Sequence, residues 1–211
     1  MSEPRNPFPD VVRLRDGAEI VVRPIRPDDK DAIVAGFESL SPESRYRRFF
    51  SPLQKLTRRD LAYLTEVDHH DHEALIGFDA ESREPVGVAR FIRADEPAEA
   101  EVAVVVVDHW QRRGVGTALL ERLVERARQE SIERFVALVL SDNREVVDLF
   151  QSLAPDRESR TSASGNLELV IELPEAGAAV PGTLLGRALR AAAHGALVAN
   201  PWRVIRERIA R

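Results

Sequence analysis

The fold class is predicted mainly from residues 101–127, EVAVVVVDHWQRRGVGTALLERLVERA. This stretch begins within an apolar run, 100–107, that is hydrophobic at both parities, which predicts a strand covered on both faces. It ends in leucines, valine and alanine at helical spacing, which predict an amphipathic helix over 114–130. The connection between them holds two arginines and two glycines. A buried strand that passes through a glycine turn into a long helix is typical of an α/β or α+β domain.

The glycine turn predicts an anion site. Backbone N–H groups at the start of a helix have no intrahelical partner, and the helix dipole adds positive potential there. Gly114 and Gly116 lack Cβ and let a ligand approach the backbone, while Arg112 and Arg113 can add charge-assisted hydrogen bonds. Phosphate is the usual ligand of such a turn. From spacing alone, a plain helix start with turn glycines remains the alternative.

Two familiar glycine motifs are excluded at this turn. A P-loop continues from its second glycine into Lys and then Ser or Thr, whereas Gly116 is followed by Thr117 and Ala118. A dinucleotide fingerprint needs a third glycine where Leu119 stands.

Hydrophobic periodicity on either side of this stretch predicts the remaining elements. Predicted strands cover residues 18–25, 73–79, 85–92 and 134–140, with two more inside 159–173. Predicted helices cover residues 27–40, 41–50, 57–67 and 142–153. This order of strands and helices predicts a mixed sheet flanked by helices, an α/β or α+β sandwich.

Three regions are expected along the chain. Residues 1–17 are predicted to be a loose lead-in, 18–174 the folded domain, and 175–211 a linker followed by a basic amphipathic helical tail. We expect this tail to dock on the chain's own domain or on a second subunit, and an anionic membrane surface is the alternative.

Composition narrows the function classes. The formal net charge is −5, from 30 basic and 35 acidic residues, so bulk charge gives no reason to expect a nucleic-acid partner. There is no Cys, which excludes disulfides and a thiol nucleophile. The polar N-terminus lacks an apolar core, and no window offers about 18 uninterrupted apolar residues. A cytoplasmic location is expected.

The spacing Gln111-x-x-Gly114-x-Gly116 resembles the [RQ]-x-x-G-x-[GA] signature of the GNAT N-acetyltransferases, and the elements around it, over 18–174, follow the order of that family. The resemblance implies a GNAT fold with a mostly antiparallel sheet and acetyl-CoA as co-substrate, without a metal. Its pyrophosphate would lie on backbone N–H groups of the turn, and its pantetheine arm between the splayed strands 100–107 and 134–140. The residues implied to bind it are Val105, Val106, Val107, Gln111, Arg112, Arg113, Gly114, Val115, Gly116, Thr117 and Asn143.

A narrower resemblance points to the bacterial Pat-type protein-lysine acetyltransferases. It is carried by LSPESRYRRFF (40–50), VDHHDHEALIGFD (67–79) and AEVAVVVVDHWQRRGVGTALLERL (100–123). The resemblance implies a protein lysine as acceptor, such as one in an acyl-CoA synthetase. Members of that group often carry an extra regulatory domain, for which we expect no room in a chain of 211 residues.

The reaction implied by this resemblance needs a base, because a lysine with an ordinary pKa near 10.4 is protonated at neutral pH. Glu101 is the candidate, since it is an acid that enters an apolar strand and matches the family's base position. A capping role at the strand edge is its structural alternative, and Glu99 is the second candidate for the base. Backbone N–H groups at Val105 to Val107 are candidate donors to the developing oxyanion.

The position of the usual general acid departs from the family pattern. Many members place a Tyr seven residues after the position of Asn143, and this chain has Phe150 there. Asn143 matches the family Asn that contacts the pantetheine or acetyl group, with a helix-start role equally compatible with its spacing. Two other functions therefore stay open: a small-molecule amine acetyltransferase, and a CoA-binding regulatory module with little catalysis.

Two polar clusters are predicted to be structural. The loop DHHDHE (68–73) holds imidazoles and carboxylates but lacks the i, i+4 spacing of a helical metal site, so no metal is expected; a place near the amine entrance is the functional alternative. In RYRRFF (45–50), the aromatic residues are predicted to lie on the inner face of a helix that lines the acceptor groove, rather than to bind RNA.

Overall fold

The structure is a computed structural model and describes residues 9–49, 53–139, 159–161 and 167–173. The strands are β1 (Asp10–Arg13), β2 (Glu19–Pro24), β3 (His72–Asp79), β4 (Pro85–Arg93), β5 (Glu99–Val106), β6 (Arg134–Val139), β7 (Ser159–Thr161) and β8 (Leu167–Glu172). The helices are α1 (Lys30–Glu38), α2 (Pro42–Phe49), α3 (Arg58–Thr65) and α4 (Val115–Gln129), with short 3-10 turns at Pro27–Asp29 and Asp108–Trp110. The predicted helix over 142–153 and the predicted tail lie outside the described residues.

The eight described strands form one sheet in the order β1-β2-β3-β4-β5-β6-β8-β7. The β5–β6 pair is parallel, and the other pairs among these strands are antiparallel. Helix α4 makes the crossover that a parallel pair requires. The predicted α/β architecture, a mixed and mostly antiparallel sheet flanked by helices, is confirmed.

One face of the sheet packs against α4. The apolar stripe of α4, which includes Leu119, Leu120 and Leu123, is fully buried. It meets the side chains that β5 turns to this face, which are Ala100, Val102, Val104 and Val106. This continuous core explains why the α4 stripe and the β5 run are apolar, and it holds β5 in place from one side.

The other face of the sheet is covered by α1 and α3 and has a smaller core. Its buried members are Ile25, Ile33, Leu64, Ala74 and Ile76. The start of α3 matches its sequence signal, because Thr57 Oγ1 accepts a hydrogen bond from the Asp60 N–H at 3.2 Å and Asp60 accepts one from the Thr57 N–H at 2.8 Å.

The structure corrects the expected lead-in. Residues 10–13 are not loose, because they form β1 and pair with β2 in a hairpin. The predicted turn at Asp16-Gly17 is confirmed as its connection, and Gly17 takes a φ of 89° there. The four-residue strand lies at the sheet edge and pairs on one side, so its local pattern was too short to predict it.

The expectation for the aromatic residues of α2 is wrong at Tyr46, which is 47% exposed. The helix start is as predicted, since the Ser44 N–H donates to Ser41 Oγ at 3.1 Å.

No helix among the described residues is long and apolar enough to cross a membrane.

Candidate active site

The centre of the sheet opens between β5 and β6. Over the described length of the two strands, their pairing covers the three positions from Glu99 opposite Arg134 to Glu101 opposite Val136. Beyond this point β5 continues to pair with β4 up to Val106, while β6 pairs with β8. The two strands therefore diverge toward their carboxyl ends and leave a V-shaped opening in the sheet.

The ladder between β4 and β5 decides which backbone groups face this opening. The Val107 N–H donates to the Val86 carbonyl oxygen at 3.0 Å, so the backbone N–H of Val107 points toward β4. Hydrogen-bonded pairs alternate along an antiparallel ladder. The backbone N–H of Val105 therefore also points toward β4, and that of Val106 points toward β6. The prediction of an oxyanion donor is therefore wrong for Val107, whose N–H is already engaged, and Val106 is the candidate of the three.

Glu101 lies at the vertex of the opening, where the β5–β6 pairing ends. It is half-buried, its Oε2 atom is inaccessible to solvent, and it sits opposite Ile92 of β4. Strand parity turns it away from α4 and toward the α1–α3 face. Glu99 shares this parity, but its carboxylate is held by the Arg134 guanidinium at 2.9 Å. The structure thus places Glu101 where the β5–β6 pairing ends, and Glu99 in an ion pair with Arg134.

The loop after β5 carries the predicted anion site. Gly114 is the N-cap of α4 with a φ of 103°, a left-handed conformation that favours glycine. The Ala118 N–H donates to the Gly114 carbonyl oxygen at 3.0 Å, which starts the helical ladder. The N–H groups of Val115, Gly116 and Thr117 come before this bond and have no intrahelical acceptor. The turn therefore presents the N–H groups that an anion would need.

Two predicted ligand side chains have internal contacts instead. The Gln111 amide nitrogen donates to the Val106 carbonyl oxygen at 3.2 Å and to Asp108 Oδ1 at 3.0 Å. The Arg113 guanidinium lies 3.9 Å from the Trp110 ring centroid and pairs with Asp16 at 2.5 Å. Arg112 is exposed, with a φ of 62°. At Gln111 and Arg113 the side chains shape the loop, so an anion here would rely on the backbone.

Asp108 is a site residue that the sequence interpretation missed. Its carboxylate accepts hydrogen bonds from the Ser41 N–H at 2.8 Å and from Ser44 Oγ at 2.7 Å, besides the one from Gln111. Burial by itself would raise the pKa of Asp108, but the hydrogen bonds from Ser44 and Ser41 together hold that pKa below its ordinary value. Asp108 thereby ties the start of α2 to the end of β5. No local pattern signals a contact across more than 60 residues.

The loop 68–73 has a structural role in the protein. Asp68 Oδ1 accepts from the N–H groups of His70 and His72 at 2.9 and 2.8 Å. The fully buried Glu73 pairs with His69 at 2.8 Å and with Arg126 of α4 at 2.9 Å. No group of three or more potential metal ligands occurs in the part of the chain that the structure describes. Asn143 and Phe150 lie outside that part.

An apolar cavity adjoins the site on the α1–α3 face of the sheet. Val105 of β5 and Val107, which directly follows β5, form part of its wall, together with residues of α1, α3 and β4. The cavity therefore reaches the same stretch of β5 that borders the opening, on the face to which Glu101 also belongs.

Comparison with known proteins now assigns the class. The sequence model of the acetyltransferase (GNAT) family matches residues 36–154, more than half of the chain. Strands β5 and β6, which border the opening, and the glycine turn before α4 lie within this match. The chain belongs to the GNAT acetyltransferase family, which confirms the resemblance drawn from Gln111, Gly114 and Gly116.

The relatives include Pat-type proteins. The chain is 38% identical over 144 residues to the acetyltransferase Pat of Mycolicibacterium smegmatis, covering 66% of this chain and 43% of that relative. The GNAT domain of S. lividans Pat superposes with a TM-score of 0.68 at 37% identity, covering 77% of this chain and 96% of that one. The yncA protein of Salmonella typhimurium, solved with its cofactor acetyl-CoA, shares the fold at 20% identity with a TM-score of 0.54, over 75% of this chain and 96% of that one. The chain therefore spans under half the length of the M. smegmatis relative.

Proposed function

We propose that this protein transfers an acetyl group from acetyl-CoA to a primary amine, with a protein lysine side chain as the acceptor. The observation that carries the proposal is the vertex of the opened sheet. There the β5–β6 pairing ends at Glu101, and the same strand leads within a few residues to the glycine turn before α4. A base on β5 and an anion site in the turn before α4 suit a reaction between an amine and a thioester whose carrier bears phosphate groups.

The proposed cofactor seat uses the backbone. The N–H groups of residues 114–117 would hold the pyrophosphate, because they precede the helical ladder and carry the positive end of the α4 dipole. Acetyl-CoA supplies an activated acyl group when bound. The extended arm of acetyl-CoA would occupy the opening between β5 and β6, where unpaired strand edges can donate and accept hydrogen bonds.

The proposed chemistry uses two groups on β5. Glu101 would take the proton of the acceptor amine, directly or through a water, and so release the nitrogen lone pair for attack on the thioester carbon. The Val106 N–H would donate to the thioester oxygen as negative charge develops on it, since this N–H faces the opening. The tetrahedral adduct would then expel the thiolate, and the extra proton on the nitrogen would pass to this thiolate or to water, which leaves the neutral amide and CoA.

The deciding experiment incubates the full chain with isotopically labelled acetyl-CoA and a bacterial lysate, and then maps labelled lysines by mass spectrometry. We expect acetyl-CoA-dependent label on a small set of protein lysines. A parallel assay offers lysine peptides and polyamines at equal concentration. Turnover of polyamines alone would replace the protein acceptor by a small amine. Binding of acetyl-CoA in calorimetry without acyl transfer to any amine would reject the enzymatic function altogether and favour a CoA-binding module.

A further inference from the structure

The cavity on the α1–α3 face has an apolar wall with one charged residue. Its wall includes Ile33 and Phe37 of α1, Leu64 of α3, and Val105 of β5. The charged residue is Arg90 of β4, which is 2% exposed. An apolar cleft with few polar groups is the usual form of a small-molecule site.

The Arg90 guanidinium is incompletely satisfied. One terminal nitrogen lies 3.1 Å from His72 Nε2, and the other donates to the Leu64 carbonyl oxygen at 3.2 Å. Its Nε–H is buried and has no hydrogen-bond partner. Tyr63 is a favourable electrostatic neighbour of the Arg90 cation. The ion pairs found among the described residues do not include one between Arg90 and a carboxylate. Burial lowers the pKa of Arg90 to about 10, so the side chain is still a cation at neutral pH.

The other buried charged residues in the described part of the chain, Asp29 and Glu73, are paired. Asp29 meets the Arg23 guanidinium at 2.6 Å, and Glu73 meets Arg126 at 2.9 Å. A buried cation without a counter-ion is costly, because desolvation is not offset by an opposite charge. An arginine kept in this state beside a cavity is explained if a ligand supplies the missing anion.

We propose that the cavity binds a carboxylate on the acyl group or on the amine that takes part in the transfer, with Arg90 as its counter-ion. This extends the reactants beyond the acetyl group and the protein lysine side chain, since neither of these carries such a carboxylate. The planar guanidinium fork matches a carboxylate, and the apolar wall matches a short hydrocarbon segment attached to it. The ligand class is therefore a short aliphatic chain that ends in a carboxylate. This inference rests on the proposed acyl transfer.

The position of Arg90 relative to Glu101 supports a reactant as the source. Arg90 sits opposite Ala103, and Ile92 sits opposite Glu101. Opposite residues of an antiparallel pair point to the same face, so Arg90 and Glu101 are diagonal neighbours, with Cβ atoms roughly 7–8 Å apart. A ligand anchored at Arg90 by its carboxylate would extend along this face toward the proposed base.

The binding test uses the full chain, with hexanoate and its uncharged counterpart hexanamide as probes in calorimetry. We expect hexanoate to bind at least about tenfold more tightly than hexanamide, since a hydrogen bond to a charged group is worth more than one to a neutral group. Arg90→Met removes this preference, and Arg90→Lys retains part of it. Circular dichroism and cooperative thermal unfolding verify that each variant is folded.

A second variant covers the case in which Arg90→Met does not fold. Gly36 lines the cavity from α1, and the nearest atom to a Cβ at this position would be Pro85 Cγ at 3.7 Å. Gly36→Leu therefore adds a side chain to the cavity and leaves Arg90 itself unchanged, and it should abolish hexanoate binding. Equal binding of hexanoate and hexanamide by the unmodified protein, or undiminished hexanoate binding by Gly36→Leu, overturns the proposal.

Two kinetic arms identify the reactant. The donor arm compares succinyl-CoA with butyryl-CoA, and the acceptor arm compares 6-aminohexanoate with 6-aminohexanamide. We expect a carboxylate preference in kcat/KM in one arm, lost in Arg90→Met or Gly36→Leu. Turnover without a carboxylate preference in either arm overturns the assignment to a reactant. Absence of all turnover, with hexanoate still bound preferentially, rejects the proposed acyl transfer and with it this assignment.

Discussion

The two faces of the sheet are filled to different degrees. The α4 face is a continuous apolar core in which Leu119, Leu123 and Val124 are fully buried. The α1–α3 face has a smaller core, a cavity and a buried cation, Arg90. Both faces share the same strands, so the difference comes from the alternate residues of β4 and β5. A tightly packed face can hold β5 in place while the opposite face stays accessible to ligands.

The largest expected effect is a loss of catalytic rate, on substitution of Glu101, the candidate base on the α1–α3 face. Glu101→Gln keeps the shape of the side chain but removes its basicity, and we expect kcat to fall by about 10²–10⁴-fold. Acetyl-CoA affinity measured by calorimetry should stay within a few-fold. The readout is the initial rate of acetyl transfer to a lysine peptide identified in the lysate experiment.

Glu99→Gln is the matched control for that prediction, because Glu99 lies on the same strand and parity but pairs with Arg134. It should retain most of the activity. If Glu99→Gln lost the rate and Glu101→Gln kept it, the assignment of the base would be reversed.

The second prediction compares one leucine from each face. Leu123→Ala on the α4 face should cost near the upper end of about 2–5 kcal/mol of unfolding free energy. Leu64→Ala should cost near the lower end of that range, about 2 kcal/mol, because Leu64 borders the cavity and has fewer neighbours to lose. Urea denaturation followed by circular dichroism measures both, and equal losses would argue against the difference in packing.

The packing of one face of the sheet could be predicted from the sequence better than the packing of the other. The apolar runs of β5 and α4 predicted the packed face, because hydrophobic periodicity reports burial directly. Arg90 was not singled out, since an arginine within VGVARFI fits an outward-facing position of a strand as well as a buried one. Its burial depends on α3, which follows from tertiary packing and not from local pattern.

The site was predictable to a similar, partial extent. The glycine spacing gave the turn, and the entry of an acid into an apolar strand gave Glu101. The family motif did not show that the Gln111 side chain bonds to Val106 and Asp108 within the loop. Which N–H groups face the opening follows from the β4–β5 hydrogen-bond register, and a one-residue change in register would reverse the choice.

The third prediction adds one methyl group at two glycines that line the cavity. In Gly87→Ala the new Cβ would lie 2.8 Å from the Val105 carbonyl oxygen, so the β4–β5 ladder must shift, and we expect a loss of about 1–3 kcal/mol. In Gly36→Ala the nearest atom would be 3.7 Å away, and removal of a helical glycine should add about 0.5–1 kcal/mol. The midpoint of urea unfolding shows for each variant whether the free energy of unfolding has fallen or risen. Two losses of equal size would show that the α1 side of the cavity is as tightly packed as the strand side.

The smallest effect concerns the link that Asp108 makes between α2 and the end of β5. Asp108→Asn keeps an acceptor oxygen but removes the charge, and we expect a loss of about 1 kcal/mol at neutral pH, within the range of helix-capping contacts. Because the folded-state pKa of Asp108 is held below its ordinary value, its contribution is present above the unfolded pKa of about 3.9. That contribution disappears as the pH falls through the folded-state pKa.

The difference in unfolding free energy between the unmodified protein and Asp108→Asn should therefore be constant above about pH 5 and should shrink below about pH 4. The comparison cancels the other carboxylates with lowered pKa values, such as Asp29 and Asp68, because they occur in both proteins. A difference that grows on acidification would show that the charge of Asp108 destabilises the fold. The hydrogen bonds from Ser41 and Ser44 would then hold α2 in place despite the negative charge of Asp108, and not because of it.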